Sequence, residues 1–211
     1  ILPLVSPSQH FRNYIHHGFY PFFLEQRNFS ENLLKTMNMM TEVDILLIKQ
    51  IDLKYLTKIK KLFYLLSLNP TKAPNISQLA QDIETSRATV MNYIKYLADA
   101  RLINMMYLVG DDFPKKPSKI MMHNPNLMYT IYPIVGDEQV AMETFFVNAL
   151  WKDHLVNQGN KEQFYIVDEK RKFRICDARV TNKVRYNNDT IYARYNTEVG
   201  KDNKIPLWLF G

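Results

Sequence analysis

Two short apolar stripes separated by a three-residue polar break constrain this chain more than any other feature. Ile76, Leu79, Ala80 and Ile83 fall at i, i+3, i+4 and i+7, which is one face of a short helix. Glu84, Thr85 and Ser86 interrupt that pattern with side chains that favour turns and helix N-caps. A second stripe runs through Val90, Ile94 and Leu97. Helix, tight polar turn, helix is a helix-turn-helix pattern. The apolar run 102–109 reads as extended, and Gly110-Asp111-Asp112 is a turn signal. A basic, proline-interrupted loop over 113–118 and a returning strand over 119–123 complete a winged helix, with Lys115 and Lys116 in the wing.

The neighbouring segments fit that centre. Residues 53–68 carry Leu56, Ile59, Leu62, Phe63 and Leu66 on one helical face, with Lys54, Lys58, Lys60 and Lys61 largely on the other. This is the expected first helix of the winged helix, stopped by Pro70 and Pro74. Before it, residues 1–52 read as helices joined by short turns. Ser8 is expected to cap a helix carrying Phe11, Tyr14 and Ile15 and ended by Gly18, and Phe22, Phe23 and Leu24 are expected to pack. Ser30 opens a further helix with Leu33, Leu34, Met37 and Met40 on one face, and 41–48 starts another helical piece.

After the wing, Asp137 to about Leu155 reads as a helix with Met142, Phe145, Phe146, Ala149 and Leu150 inward. From Gln163 the period changes to that of strands, over 163–167, 172–176, 190–195 and 205–210. The fold class is therefore α+β, in three parts: N-terminal helices over 1–52, a winged helix over 53–123 and a small α/β domain over 124–211.

Composition narrows the function classes. The formal net charge is +6 and the pI about 9.2, which favours an anionic partner, nucleic acid first, although many solvated surfaces share that balance. Cys176 is the single cysteine, so no intrachain disulfide can form and a reducing compartment is expected. No apolar run is long enough to span a bilayer and no signal-peptide layout is present, so no membrane partner and a cytoplasmic location are expected. None of the six glycines opens a phosphate-binding loop, so no cofactor is expected in this chain. The start at Ile1 and the apolar end 205–211 read as the cut ends of a longer protein.

The second helix of the pair is the candidate recognition helix, with Arg87, Thr89, Asn92, Lys95 and Tyr96 expected to point outward. Arg and Asn can pair bidentately with base edges, while Lys and Thr reach phosphates. DNA is the first expectation for this face, and a protein partner would suit the same residues. Adjacent histidines such as His16 and His17 point apart on a helix and make a poor metal pair, and Cys176 lies in an expected strand without a nearby histidine.

The order of the pieces resembles the C-terminal half of a bacterial and archaeal family of AAA-type P-loop ATPases, in which the ATPase core is followed by a winged helix and a restriction-endonuclease-like domain. The matching words are 11–23 (FRNYIHHGFYPFF), the helix-turn-helix over 75–103, Lys116–Ile120 with His123–Leu127, Glu143–Asn148 and Asn203–Gly211. The resemblance implies that ATP and Mg²⁺ belong to a core outside this chain, and that this core is itself a partner.

It also implies a nuclease-like site, which needs acidic side chains for Mg²⁺ and a lysine to steady charge. Glu143 matches the family's helix glutamate. The family's strand aspartate becomes Gln163, its glutamate Arg174 and its lysine Ala178, and an arginine repels the cation that a ligand should hold. Asp168, Asp177 and Arg179 could be drawn as substitutes. The leading expectation is a non-catalytic ATPase C-terminal region that engages DNA or a protein. The alternatives are a stand-alone winged-helix transcriptional regulator and a metal-dependent nuclease.

Overall fold

The computed structural model describes residues 6–21, 24, 28–45, 52–68, 73–131, 137–161, 163–180 and 186–211. Helix α1 (Pro7–Asn13) starts after Ser6, so Ser8 lies inside it: Pro7 has the preset φ of a first helical turn and needs no donor there, while the Ser6 hydroxyl donates to Glu198. It runs on into a wider π-type turn, Tyr14–Gly18. Helix α2 (Phe29–Met39) starts after Asn28, whose backbone is left-handed, so Ser30 lies inside the helix. A second π-type turn, Met40–Ile45, continues it. Leu33 and Met37 are buried on its inner side, whereas Leu34, one residue round the helix from Leu33, is exposed. The expected packing of Phe22 and Phe23, the helical piece beyond Ile45 and the linker residues 69–72 lie outside the described residues.

The winged-helix elements follow where local chemistry puts them. Asp52 caps a short turn, Leu53–Tyr55, that leads into α3 (Leu56–Ser67), and α3 buries Ile59, Leu62, Phe63 and Leu66. Asn75 caps α4 (Ile76–Asp82) and Ser86 caps α5 (Arg87–Asp99), each side chain accepting from a backbone N–H three residues on. Between them Glu84 has φ 52°. Lys58 of α3 donates to the Glu84 carbonyl at 2.6 Å and so helps to close that turn. Strands β1 (Ile103–Met106) and β2 (Lys119–Met122) form the antiparallel hairpin, in register from Ile103↔Met122 to Met106↔Lys119.

Two further helices follow, α6 (Pro125–Ile131) and α7 (Glu138–Leu150), the second capped by Asp137. All eight residues from Val140 to Val147 are buried. The middle of α7 is enclosed on every side, its apolar side chains by packing and Glu143 by polar partners. Phe145 meets Phe11 and Tyr14 edge-on at 4.8 and 6.0 Å. Phe146, the next residue, meets Tyr165 and Phe173 of the sheet at 5.7 and 5.2 Å. The helix stops at Leu150, short of the expected Leu155, because the chain must turn back to start a strand.

That strand, β3 (Val156–Gln158), is too short to show a period. With β4 (Phe164–Val167), β5 (Arg171–Asp177), β6 (Thr190–Tyr195) and β7 (Lys204–Pro206) it forms one five-stranded sheet in sequential order. β3, β4 and β5 are an antiparallel meander, whereas β5, β6 and β7 run parallel. The segment expected as a strand to Phe210 leaves the sheet at Pro206, which has no N–H to extend the ladder, and closes as a tight helical turn over Leu207–Phe210. Helices and two sheets of this kind make the chain an α+β protein. Among the described residues no helix is long and apolar enough to cross a membrane.

Candidate nucleic-acid interface

The outward row of α5 differs from the expected one. Tyr93 is buried, and Thr89 and Tyr96 stand one turn to either side of it, so both are half-buried. Thr89 is also held by the Ser86 hydroxyl at 2.8 Å. Tyr96 packs against the core and does not belong to the outward row. Arg87 and Asn92 are exposed, as expected. Lys95 is half-buried and ion-paired with Asp99 one turn on, at 2.8 Å.

In the wing, Lys115 and Lys116 are both exposed. Lys115 pairs with Asp111 at 2.5 Å, and Asp112 accepts from the Phe113 N–H. Exposed i,i+4 pairs hold weakly in water and give way to a phosphate that offers a stronger partner. Lys60 of α3 pairs with Glu42 and Lys54 with Asp52, which leaves Lys58 and these two occupied by the protein itself.

Glu143, expected as the remnant of a nuclease-like site, lies in a buried cluster of hydrogen bonds. Its Oε2 accepts from the Lys119 ammonium at 2.5 Å and from the Tyr165 hydroxyl, and its Oε1 accepts from Gln139 at 2.8 Å. Tyr165 and Lys119 also meet each other at 3.0 Å. Gln139 extends the chain of bonds to the Ile175 carbonyl and accepts from Tyr195. Burial, together with the adjacent Glu143 carboxylate, pushes the Tyr165 hydroxyl well above its usual range. Lys119 was not singled out from the sequence. It lies in the returning strand expected over 119–123, but its partner lies on another element.

The other positions of that site do not assemble with Glu143. Gln163 accepts from Arg174 at 3.3 Å, and Arg174 lies on the sheet face opposite α7. Asp168 is bonded to His154 at 2.8 Å, which holds its carboxyl below the usual range. Asp177 is clasped by Arg179 and by Asn196. Among the described residues no three His, Cys, Asp or Glu side chains gather in a way that could hold a metal ion. Cys176 is buried, and burial pushes its thiol up, away from the reactive thiolate.

Segments 14–20 and 123–126, far apart in the sequence, meet in space. Asn126 sends its amide to the carbonyls of Tyr14 and Ile15 and accepts from the Phe19 N–H at 2.9 Å, so it satisfies the π-type turn of 14–18. Asn124 donates to Tyr20 at 3.0 Å. His123, between the rings of Phe19 and Trp151, contacts Asn104 through Nδ1 at 3.0 Å and Asn148 through Nε2 at 3.4 Å. Burial, and then Arg101, lower its pKa to about 4.

A family model described as a domain of unknown function (DUF8612) matches residues 8–133, more than half of the chain and all of it from α1 to α6. No curated protein and no solved structure matches the chain.

Proposed function

The chain belongs to the DUF8612 family, and we propose that it is a non-catalytic module that holds duplex DNA through its winged helix. The exposure of Arg87 and Asn92 on the first half of α5 carries this reading, because these two side chains are suited to base edges and lie where such a helix meets a groove. Lys95, Lys115 and Lys116 add phosphate contacts on either side. The net charge of +6 supports an anionic partner. In keeping with the resemblance to AAA-type ATPases, the module works in the cytoplasm at the C-terminal side of an ATPase core, and ATP and Mg²⁺ act in that core. The nuclease alternative is weakened by Glu143, whose carboxylate is already bound on both oxygens, and by Arg174 at a ligand position.

Duplex binding measured by mobility shift and anisotropy tests the proposal. Arg87→Ala with Asn92→Ala should weaken binding about tenfold or more. Lys116→Ala should instead lower the slope of log affinity against log salt by roughly 0.9, one phosphate contact. Wild-type protein that fails to bind duplex DNA, or a double variant that binds as well as wild type, refutes it.

A further inference from the structure

One face of the five-stranded sheet belongs to α7. On the other, the register aligns side chains that are far apart in the sequence. Phe164 of β4, Arg174 of β5, Tyr192 of β6 and Lys204 of β7 form a single rung across four strands. Lys172 stands in the rung before it, and Arg194, beside Cys176, in the rung after. Four cations therefore share this face. Asp177 is the only acid in the five strands, and it pairs with Tyr195 on the α7 side.

Three of these cations rest on rings and amides, not on carboxylates, and Lys172 is exposed. The Arg174 guanidinium lies 5.2 Å from the centre of the Phe164 ring and donates to Gln163. Arg194 donates to the Ala178 carbonyl at 2.9 Å. The Nε of each arginine is buried and, among the described residues, has no acceptor. Lys204 sits 4.0 Å over the ring of Tyr186, which meets Tyr192 edge-on at 4.7 Å. Among the described residues none of the four forms an ion pair. Like charges on neighbouring strands repel, and an arriving anion relieves that repulsion.

Tyr192 is buried beneath Tyr186, but the cations beside the half-buried Phe164 ring and the exposed Tyr186 ring suit one polyanion above others. A single nucleic-acid strand offers phosphates at regular intervals and bases whose faces stack on aromatic side chains. A lipid surface would use the charges but not the rings. We propose that this face of the sheet binds single-stranded nucleic acid, with Lys172, Arg174, Arg194 and Lys204 on phosphates and Phe164 and Tyr186 as stacking platforms. It uses none of the residues of the duplex interface and stands or falls without it.

Anisotropy of a labelled oligothymidylate tests the site in the intact chain. Lys172→Ala with Lys204→Ala, whose side chains reach the surface, should weaken binding about tenfold. The same pair should flatten the log–log salt slope by roughly 1.4, two single-strand phosphate contacts. Tyr186→Ala should weaken binding with the slope unchanged, the signature of lost stacking. Arg87→Ala with Asn92→Ala should leave oligothymidylate binding as it is, which separates this site from α5. An unchanged affinity in the lysine pair with a wild-type melting curve, or no binding by wild type, overturns the proposal. So does binding to phosphatidylserine vesicles that is equally tight and lost in the same variants.

Discussion

Lys119, on the returning strand of the wing, lies 2.5 Å from Glu143 in the middle of α7, and each side chain is only 3% exposed. The pair ties the winged helix to the sheet domain through charge, with Tyr165 as third member. Removing one partner strands the other without water or counter-charge. Lys119→Met should therefore cost about 3–5 kcal/mol in urea unfolding. Lys119→Met with Glu143→Leu and Tyr165→Phe, apolar throughout, should regain most of that loss. A single variant within about 1 kcal/mol of wild type would show that the pair is solvated in solution.

His123 gives the chain an acid-sensitive point. Its folded pKa, about 4, lies below the usual 6.5, so between those values the unfolded chain binds more protons than the folded one. Stability from the neutral ring is complete above pH 6.5, is lost as pH falls toward 4, and is level below that. The loss should be on the order of 3 kcal/mol. Denaturation curves at several pH values, compared with His123→Gln, isolate this contribution. Equal slopes in the two proteins would assign the acid response to other groups.

Asn126 is fully buried and serves three backbone groups of the N-terminal turn. Asn126→Ala leaves those groups buried and unsatisfied, at a cost of about 2–3 kcal/mol. Hydrogen exchange should then speed at the Phe19 amide, while amides of α5 keep their protection relative to global stability. Uniform acceleration across both would mean that the turn is no separate unit.

Cleavage is the expected negative. With fluorogenic DNA and Mg²⁺ or Mn²⁺, wild type should cut no faster than buffer, because both oxygens of Glu143 are engaged by neighbouring side chains and, among the described residues, no three His, Cys, Asp or Glu side chains gather around a metal position. Cleavage by wild type that Glu143→Gln abolishes would reinstate the nuclease reading.

The helix-turn-helix was legible because its signals are local. Asn75 and Ser86 cap helices within three residues of the groups they bind, and the stripes Ile76–Ile83 and Val90–Leu97 repeat every turn. The role of α7 was only half legible. Met142, Phe145 and Phe146 stood out, but Val140, Thr144 and Val147 are equally buried, since a helix enclosed on every side has no stripe to read. The outward row of α5 was misjudged at Tyr96 because neighbouring elements, not the helix itself, decide which flank is covered. Lys119 with Glu143, and the cations of the sheet face, depend on pairing between distant segments, and no local pattern encodes it.

The enclosure of α7 bears on any attempt to dissect the protein. Phe145 looks toward Phe11 and Tyr14 while Phe146 looks toward the sheet, so adjacent residues belong to opposite halves. A cut just before Asp137 would leave Phe146 on its sheet but uncover Phe145 on one fragment and Phe11 with Tyr14 on the other. Fragments made apart should clump, and fragments made together should reassemble, which makes that junction a natural place to build a split reporter.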